Sequence, residues 1–97
     1  MIVVEKSKNY ISIKGHALYD DYGKDIVCSA VSSIVITTIN GILGIDKNSI
    51  KVETTNGIKI EIVKRDNVTL SLINNMNILL EDLEKQYPKN IKIKEGV

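Results

Sequence analysis

Ninety-seven residues, 43% hydrophobic and 26% charged, have the balance of one globular domain with a single core, here taken as residues 1–97, and exclude a disordered tail. Thirteen Lys and Arg against twelve Asp and Glu leave a net charge of +1, which excludes a protein built chiefly to grip nucleic-acid phosphates. The aromatic residues are four Tyr with no Phe or Trp, too few for a base-stacking platform, so no direct nucleic-acid partner is expected.

Residues 2–5 form a short apolar run and residues 10–14 (Tyr-Ile-Ser-Ile-Lys) alternate apolar with polar, so both are predicted as strands. Ser7, Lys8 and Asn9 between them are turn formers, which makes the pair a hairpin. Gly15, His16 and Ala17 end the second strand, and a loop follows over residues 18–23 (Leu-Tyr-Asp-Asp-Tyr-Gly). A long helix is predicted from about Lys24 to Ile42, with Gly41 and Gly44 suited to its end. Residues 26–45 carry no charge and match the length of a membrane span. Their pattern argues otherwise. Ser29, Ser33, Thr37, Asn40 and Gly44 recur at three- and four-residue steps as one small, polar stripe, while Val27, Val31, Ile34, Val35, Ile39 and Ile42 form the opposite arc. That is a helix buried on one side by a sheet, and no membrane partner is expected.

Residues 49–54 and 58–63 alternate on either side of Asn56-Gly57, the strongest short hairpin signal. Asp66 is the predicted N-cap of a second helix whose apolar stripe is Leu72, Ile73, Met76, Leu79, Leu80, Leu83 and Tyr87. Pro88 stops it, and residues 90–94 form a last strand. The order is ββαββαβ. Strands that pair mainly by hairpins, with two amphipathic helices to cover, predict an α+β two-layer sandwich: a mainly antiparallel sheet with both helices on one face.

A single Cys and a single His exclude an internal disulfide and a four-ligand zinc site, and nothing calls for a metal or cofactor. The N-terminus lacks a charged head followed by a long apolar stretch, so no secretory signal is expected and the cytoplasm is the expected location. Cys28 falls near the start of the long helix, where unpaired N–H groups and the helix dipole favour a thiolate and supply oxyanion donors. His16 ends the preceding strand, and the intervening loop is long enough to fold it back onto the helix start, giving a thiolate–imidazolium pair. The alternative is a packed Cys and an exposed His. Asp25 and Ser32, three residues before Cys28 and four after it, share its side of the helix. Asp25 either orients His16 or caps the helix; Ser32 either bonds near the thiolate or substrate or faces a gap in packing.

The stretch Gly15-His-Ala-Leu-Tyr-Asp-Asp-Tyr-Gly-Lys-Asp-Ile-Val-Cys-Ser-Ala-Val-Ser-Ser-Ile34 closely resembles the signature of the ribosomal-processing cysteine protease family, Prp. That signature is Gly-His-Ala, a short aromatic-containing loop, Gly-x-Asp-Ile-Val-Cys, then small residues and Ser on a helix. The resemblance implies a bacterial endopeptidase that removes the N-terminal extension of the precursor of large-subunit ribosomal protein L-twenty-seven. Cleavage follows an aromatic residue, just before a lysine-rich mature terminus. It further implies Cys28 as nucleophile, His16 as base, Asp25 and Ser32 as supporting residues, and a homodimer. The loop is then expected to close over the peptide, Tyr19 and Tyr22 contacting the aromatic side chain, Asp20 and Asp21 facing the lysines, and Gly23 giving a permissive end. The alternative from another class is a non-catalytic ribosome-associated module that holds a peptide in the same cleft. A thiol redox sensor ranks below both, because the chain has no resolving Cys.

Overall fold

The computed structural model describes residues 1–15 and 22–96, and for residues 22–25 the backbone only. Its elements are β1 (Ile2–Lys6), β2 (Tyr10–Lys14), α1 (Tyr22–Ile45), β3 (Ile50–Glu53), β4 (Ile58–Ile62), α2 (Asn67–Gln86) and β5 (Ile91–Glu95), in the predicted order ββαββαβ. The strands form one sheet in the order β3-β4-β2-β1-β5. Three of its pairings are antiparallel, and β5 lies parallel to β1 with Ile2 opposite Ile91 and Val4 opposite Ile93. The parallel neighbour is not readable from hairpin signals, because β1 and β5 are the two ends of the chain's ordered elements.

Alternation along the strands separates the two faces. Ile2, Val4, Ile11, Ile13, Ile50, Ile60 and Ile91 are buried on one face, and Lys14, Lys51, Glu53, Lys59, Glu61, Lys92 and Lys94 stand exposed on the other. The buried face is joined by Val27, Val31, Val35, Ile39 and Ile42 of α1 and by Ile73, Met76 and Leu80 of α2 in a single core. The two helices also touch each other, so both lie on one face of the sheet. Residues 26–45 are long and apolar enough to cross a membrane by length and composition alone, with mean hydropathy 2.0. In the fold their apolar arc is the core, while Ser29, Ser33, Thr37, Asn40 and Gly44 are exposed, as the spacing requires.

Both ends of α1 differ from the sequence expectation. The helix starts at Tyr22, so Tyr22 and Gly23, expected in the loop, are helical. Poor helix formers are tolerated there because first-turn N–H groups need no partner within the helix. It also runs on to Ile45, through Gly41 and Gly44, neither of which has positive φ. Burial of Ile42 and packing of Leu43 outweigh the glycines. The end is set instead by Asp46. Its carboxylate accepts the Asn48 N–H at 2.9 Å and pairs with Lys64 at 2.8 Å, which turns the chain into β3. At α2 the expectation holds: Asp66 accepts the Thr69 N–H at 2.8 Å as N-cap.

Lys6, on the inner side of β1, ties three elements together. Its ammonium lies 2.9 Å from Glu81 of α2 and 2.8 Å from Glu95 of β5. Partial burial pulls the Lys6 pKa down, but the bonded carboxylates of Glu95 and Glu81 outweigh this and hold it above the ordinary lysine value. The same bond holds Glu95 below the ordinary carboxylate value.

Two predictions follow from this packing. Gly57, in the β3–β4 turn, has φ +82°, and a Cβ there would collide with the Ile13 carbonyl, whereas Gly41 has no atom within 4 Å of such a Cβ. Gly57→Ala should therefore cost about 1–3 kcal/mol, and Gly41→Ala should raise stability by up to about 1 kcal/mol, both read from denaturant or thermal midpoints. The second concerns acid. A carboxyl with a depressed folded pKa adds stability above its unfolded value and loses it as pH falls, so Lys6→Met should flatten the decline in Tm between roughly pH 5 and pH 3. The raised Lys6 contributes below the ordinary lysine value and is lost only as pH rises through its folded pKa, so that window reports the carboxyl. An unchanged slope would show the pair to be idle.

Candidate active site

Helical spacing decides what shares a face with Cys28. Residues three, four and seven positions on lie above it on the same side, which are Val31, Ser32 and Val35. Burial of Val31 and Val35 presses this face onto the sheet, and half-buried Cys28 packs against the core beside them. The opposing surface comes from one end of the sheet: Ile2 where β1 begins, Ile13 and Gly15 where β2 ends, and Thr54, Gly57 and Ile58 around the β3–β4 turn. Together these ten residues line a mostly apolar cleft of about 380 Å³. Gly15 reaches this position with φ +87°, and a Cβ there would strike the Met1 carbonyl, so the approach of the chain to the cleft depends on glycine.

Of the residues singled out from the sequence, Cys28 and Ser32 are brought together in this cleft. His16 lies outside the described residues, as do Tyr19, Asp20 and Asp21; His16 is the residue bonded to cleft-lining Gly15. Tyr22, Gly23 and Asp25 are described by backbone alone, as the first, second and fourth residues of α1. The fourth position cannot be an N-cap, which corrects one reading of Asp25. The early start of α1 also places Cys28 seventh in the helix, in its second turn. The N–H groups left free at the helix start, expected as oxyanion donors, therefore stand about a turn before Cys28 rather than beside it. Thr54, Gly57 and Ile58 were not singled out from the sequence. The Asn56-Gly57 signal locates their turn, but only the strand order carries it to Cys28.

A second concavity, about 280 Å³, lies on the outer face of the sheet among Glu5, Tyr10, Ser12, Lys14, Glu53, Thr55, Asn56 and Lys59. It holds no Cys, and Lys59 sits 4.7 Å over the Tyr10 ring within it. Among the described residues no group of three or more His, Cys, Asp or Glu is placed to hold a metal ion.

A thiol carried on a helix and open to an apolar cleft at the end of a sheet is a setting in which a cysteine nucleophile can meet a substrate. The sequence profile of the family described as Cysteine protease Prp matches residues 1–92, and the chain belongs to that family. It is 30% identical over 87 residues to the ribosomal processing cysteine protease Prp of Staphylococcus aureus, covering 86% of this chain and 82% of that protein. Over a shorter stretch of 35 residues it is 51% identical to the ribosomal processing cysteine protease Prp of Mycoplasma genitalium, 36% of this chain and 35% of that one. The fold superimposes with a TM-score of 0.87, at 24% identity over 99% of this chain and 100% of the other, on an essential ribosomal processing protease Prp from S. aureus in complex with a covalently linked product peptide.

Ser32 is exposed at the rim of the cleft, so it can be enlarged without disturbing the core. Ser32→Leu should obstruct the mouth and raise KM for a peptide substrate severalfold, with Tm held within a few degrees. Ser32→Ala should leave KM near the parent value. A KM unchanged by Leu would remove Ser32 from the substrate path.

Proposed function

We propose that this chain removes the N-terminal extension from the precursor of large-subunit ribosomal protein L-twenty-seven, with Cys28 as nucleophile and His16 as acid and base. The observation that carries the reading is that Cys28, in a chain of the Prp family, opens into an apolar cleft whose rim residue Gly15 is bonded to His16. The Cys28 thiolate attacks the scissile carbonyl carbon, forming an S–C bond and a tetrahedral oxyanion. As this collapses, the C–N bond breaks and the His16 imidazolium gives its proton to the leaving amine. His16 then takes a proton from water, whose oxygen attacks the thioester carbon; the C–S bond breaks and restores the thiolate, and the new carboxylic acid leaves and gives its proton to solvent. The apolar cleft suits the aromatic residue ahead of the cut bond. Asp25 supports His16, and Tyr19, Asp20, Asp21, Tyr22 and Gly23 belong to the segment that meets the substrate. The enzyme works in the cytoplasm as a homodimer and uses no cofactor. The covalently linked product peptide held by the S. aureus protein favours catalysis over mere holding of a peptide.

The test is incubation of the purified chain with a synthetic peptide spanning the precursor junction, followed by mass spectrometry. Two product masses are expected from the parent chain. Cys28→Ser and His16→Ala should each lower turnover by roughly three orders of magnitude or more with Tm little changed, because each removes a member of one catalytic unit. Parent-like turnover in Cys28→Ala would overturn the assignment. An intact but bound peptide would establish the holding module instead.

A further inference from the structure

The two edges of the sheet are finished differently. The Ile2 N–H donates to the Asn90 carbonyl, so alternation turns the N–H groups of Ile91 and Ile93 away from β1, toward the open side of β5. Both are taken up by α2 and the residue after it: Ile91 donates to the Tyr87 carbonyl at 3.2 Å and Ile93 to the Glu84 carboxylate at 2.8 Å. That edge has no donor left to pair through either residue.

The β3 edge has no such cover. The Val63 N–H donates to Ser49 and the Ile62 N–H to Asn9, which fixes the alternation: Ser49, Lys51 and Glu53 face β4, Ile50 and Val52 face outward, and Thr54 follows where the strand enters its turn. Ile50 is 3% exposed and so is covered. Val52 is half-buried and Thr54 exposed, and among the described residues the outward backbone groups of Val52 have no hydrogen-bond partner. The shortness of β3 and the charges on Lys51 and Glu53 discourage pairing with another long sheet edge, but not with a short peptide. The open stretch also leads somewhere, since Thr54 lines the cleft that holds Cys28.

We infer that Val52–Thr54 is the docking edge for the peptide substrate, which adds to the sheet as a sixth strand beside β3 and passes over Thr54 to the Cys28 thiol. Main-chain bonds to the edge give affinity without demanding particular side chains, and the apolar cleft then selects the residue at the cut. The inference rests on the protease reading above and specifies how that site receives its substrate.

Two measurements test it, both with the synthetic precursor peptide. In Cys28→Ala saturated with the peptide, amide hydrogen exchange at Val52 and Thr54 should slow by about tenfold or more, the scale of one hydrogen bond, while Lys51 and Glu53, already bonded to β4, stay unchanged. With the parent enzyme, singly N-methylated peptides should show KM raised severalfold at alternate residues on one side of the cut bond and near-parent values at those between. Unchanged exchange at Val52 and Thr54 in a sample shown by calorimetry to be saturated would overturn the docking edge and leave the protease reading intact, as would a flat N-methyl series. Failure of the parent enzyme to cut the unmodified peptide would overturn both.

Discussion

One arc of α1, buried against the sheet, governs everything else about the site. Val27, Val31, Val35, Ile39 and Ile42 are each at most 7% exposed, and full burial of such a side chain is worth about 1.5–3 kcal/mol. Those five positions fix the rotation of the helix about its axis, because a shift of one residue would swing the arc by roughly 100° into water. Cys28 adjoins that arc and cannot turn from the sheet end without unpacking Val27 and Val31. The thiol is therefore held in place by core packing rather than by contacts of its own, and the reactive group adds little to stability.

The two helices divide the work. The first carries the thiol and most of the apolar surface that covers the centre of the sheet. The second contributes Ile73, Met76 and Leu80 to the core and finishes the far edge, where Tyr87 and Glu84 take up the outward donors of β5 and Glu81 holds Lys6. The Lys6 bonds are partly exposed and so contribute modestly. Their geometry nevertheless joins β1, β5 and α2 at the end of β1 away from the cleft. Chemistry is thus confined to the opposite end, where Ile2, Gly15, Gly57 and the start of α1 converge and where glycines at positive φ allow backbone segments to approach closely.

Family membership and geometry support one another through different residues. The resemblance rests on residues 15–34, whereas six of the ten cleft residues, Ile2, Ile13, Val35, Thr54, Gly57 and Ile58, lie outside that stretch. A packed structural Cys would be expected among apolar neighbours with no opening. Cys28 instead has an apolar floor and an exposed rim formed by Ser32 and Thr54, the form a peptide side chain requires.

The sequence by itself determined the element order, the buried arc of α1, the Asn56-Gly57 turn and the Asp66 cap, since each depends on a local period or a side chain bonding a few residues away. It also marked Cys28 and Ser32 as neighbours, because three- and four-residue spacing on a helix is a local fact. Three things were decided only by the tertiary structure. The C-terminal end of α1 lies three residues beyond its predicted place, because packing of Ile42 and Leu43 outweighs the local preference of Gly41 and Gly44 to stop the helix, and its start lies two residues early. The parallel seat of β5 beside β1 follows from where α2 can cover apolar surface, which no hairpin signal encodes. The far wall of the cleft, Thr54 with Gly57 and Ile58, reaches Cys28 because β4 pairs with β2, and contact between residues about thirty positions apart is a property of strand order rather than of any segment.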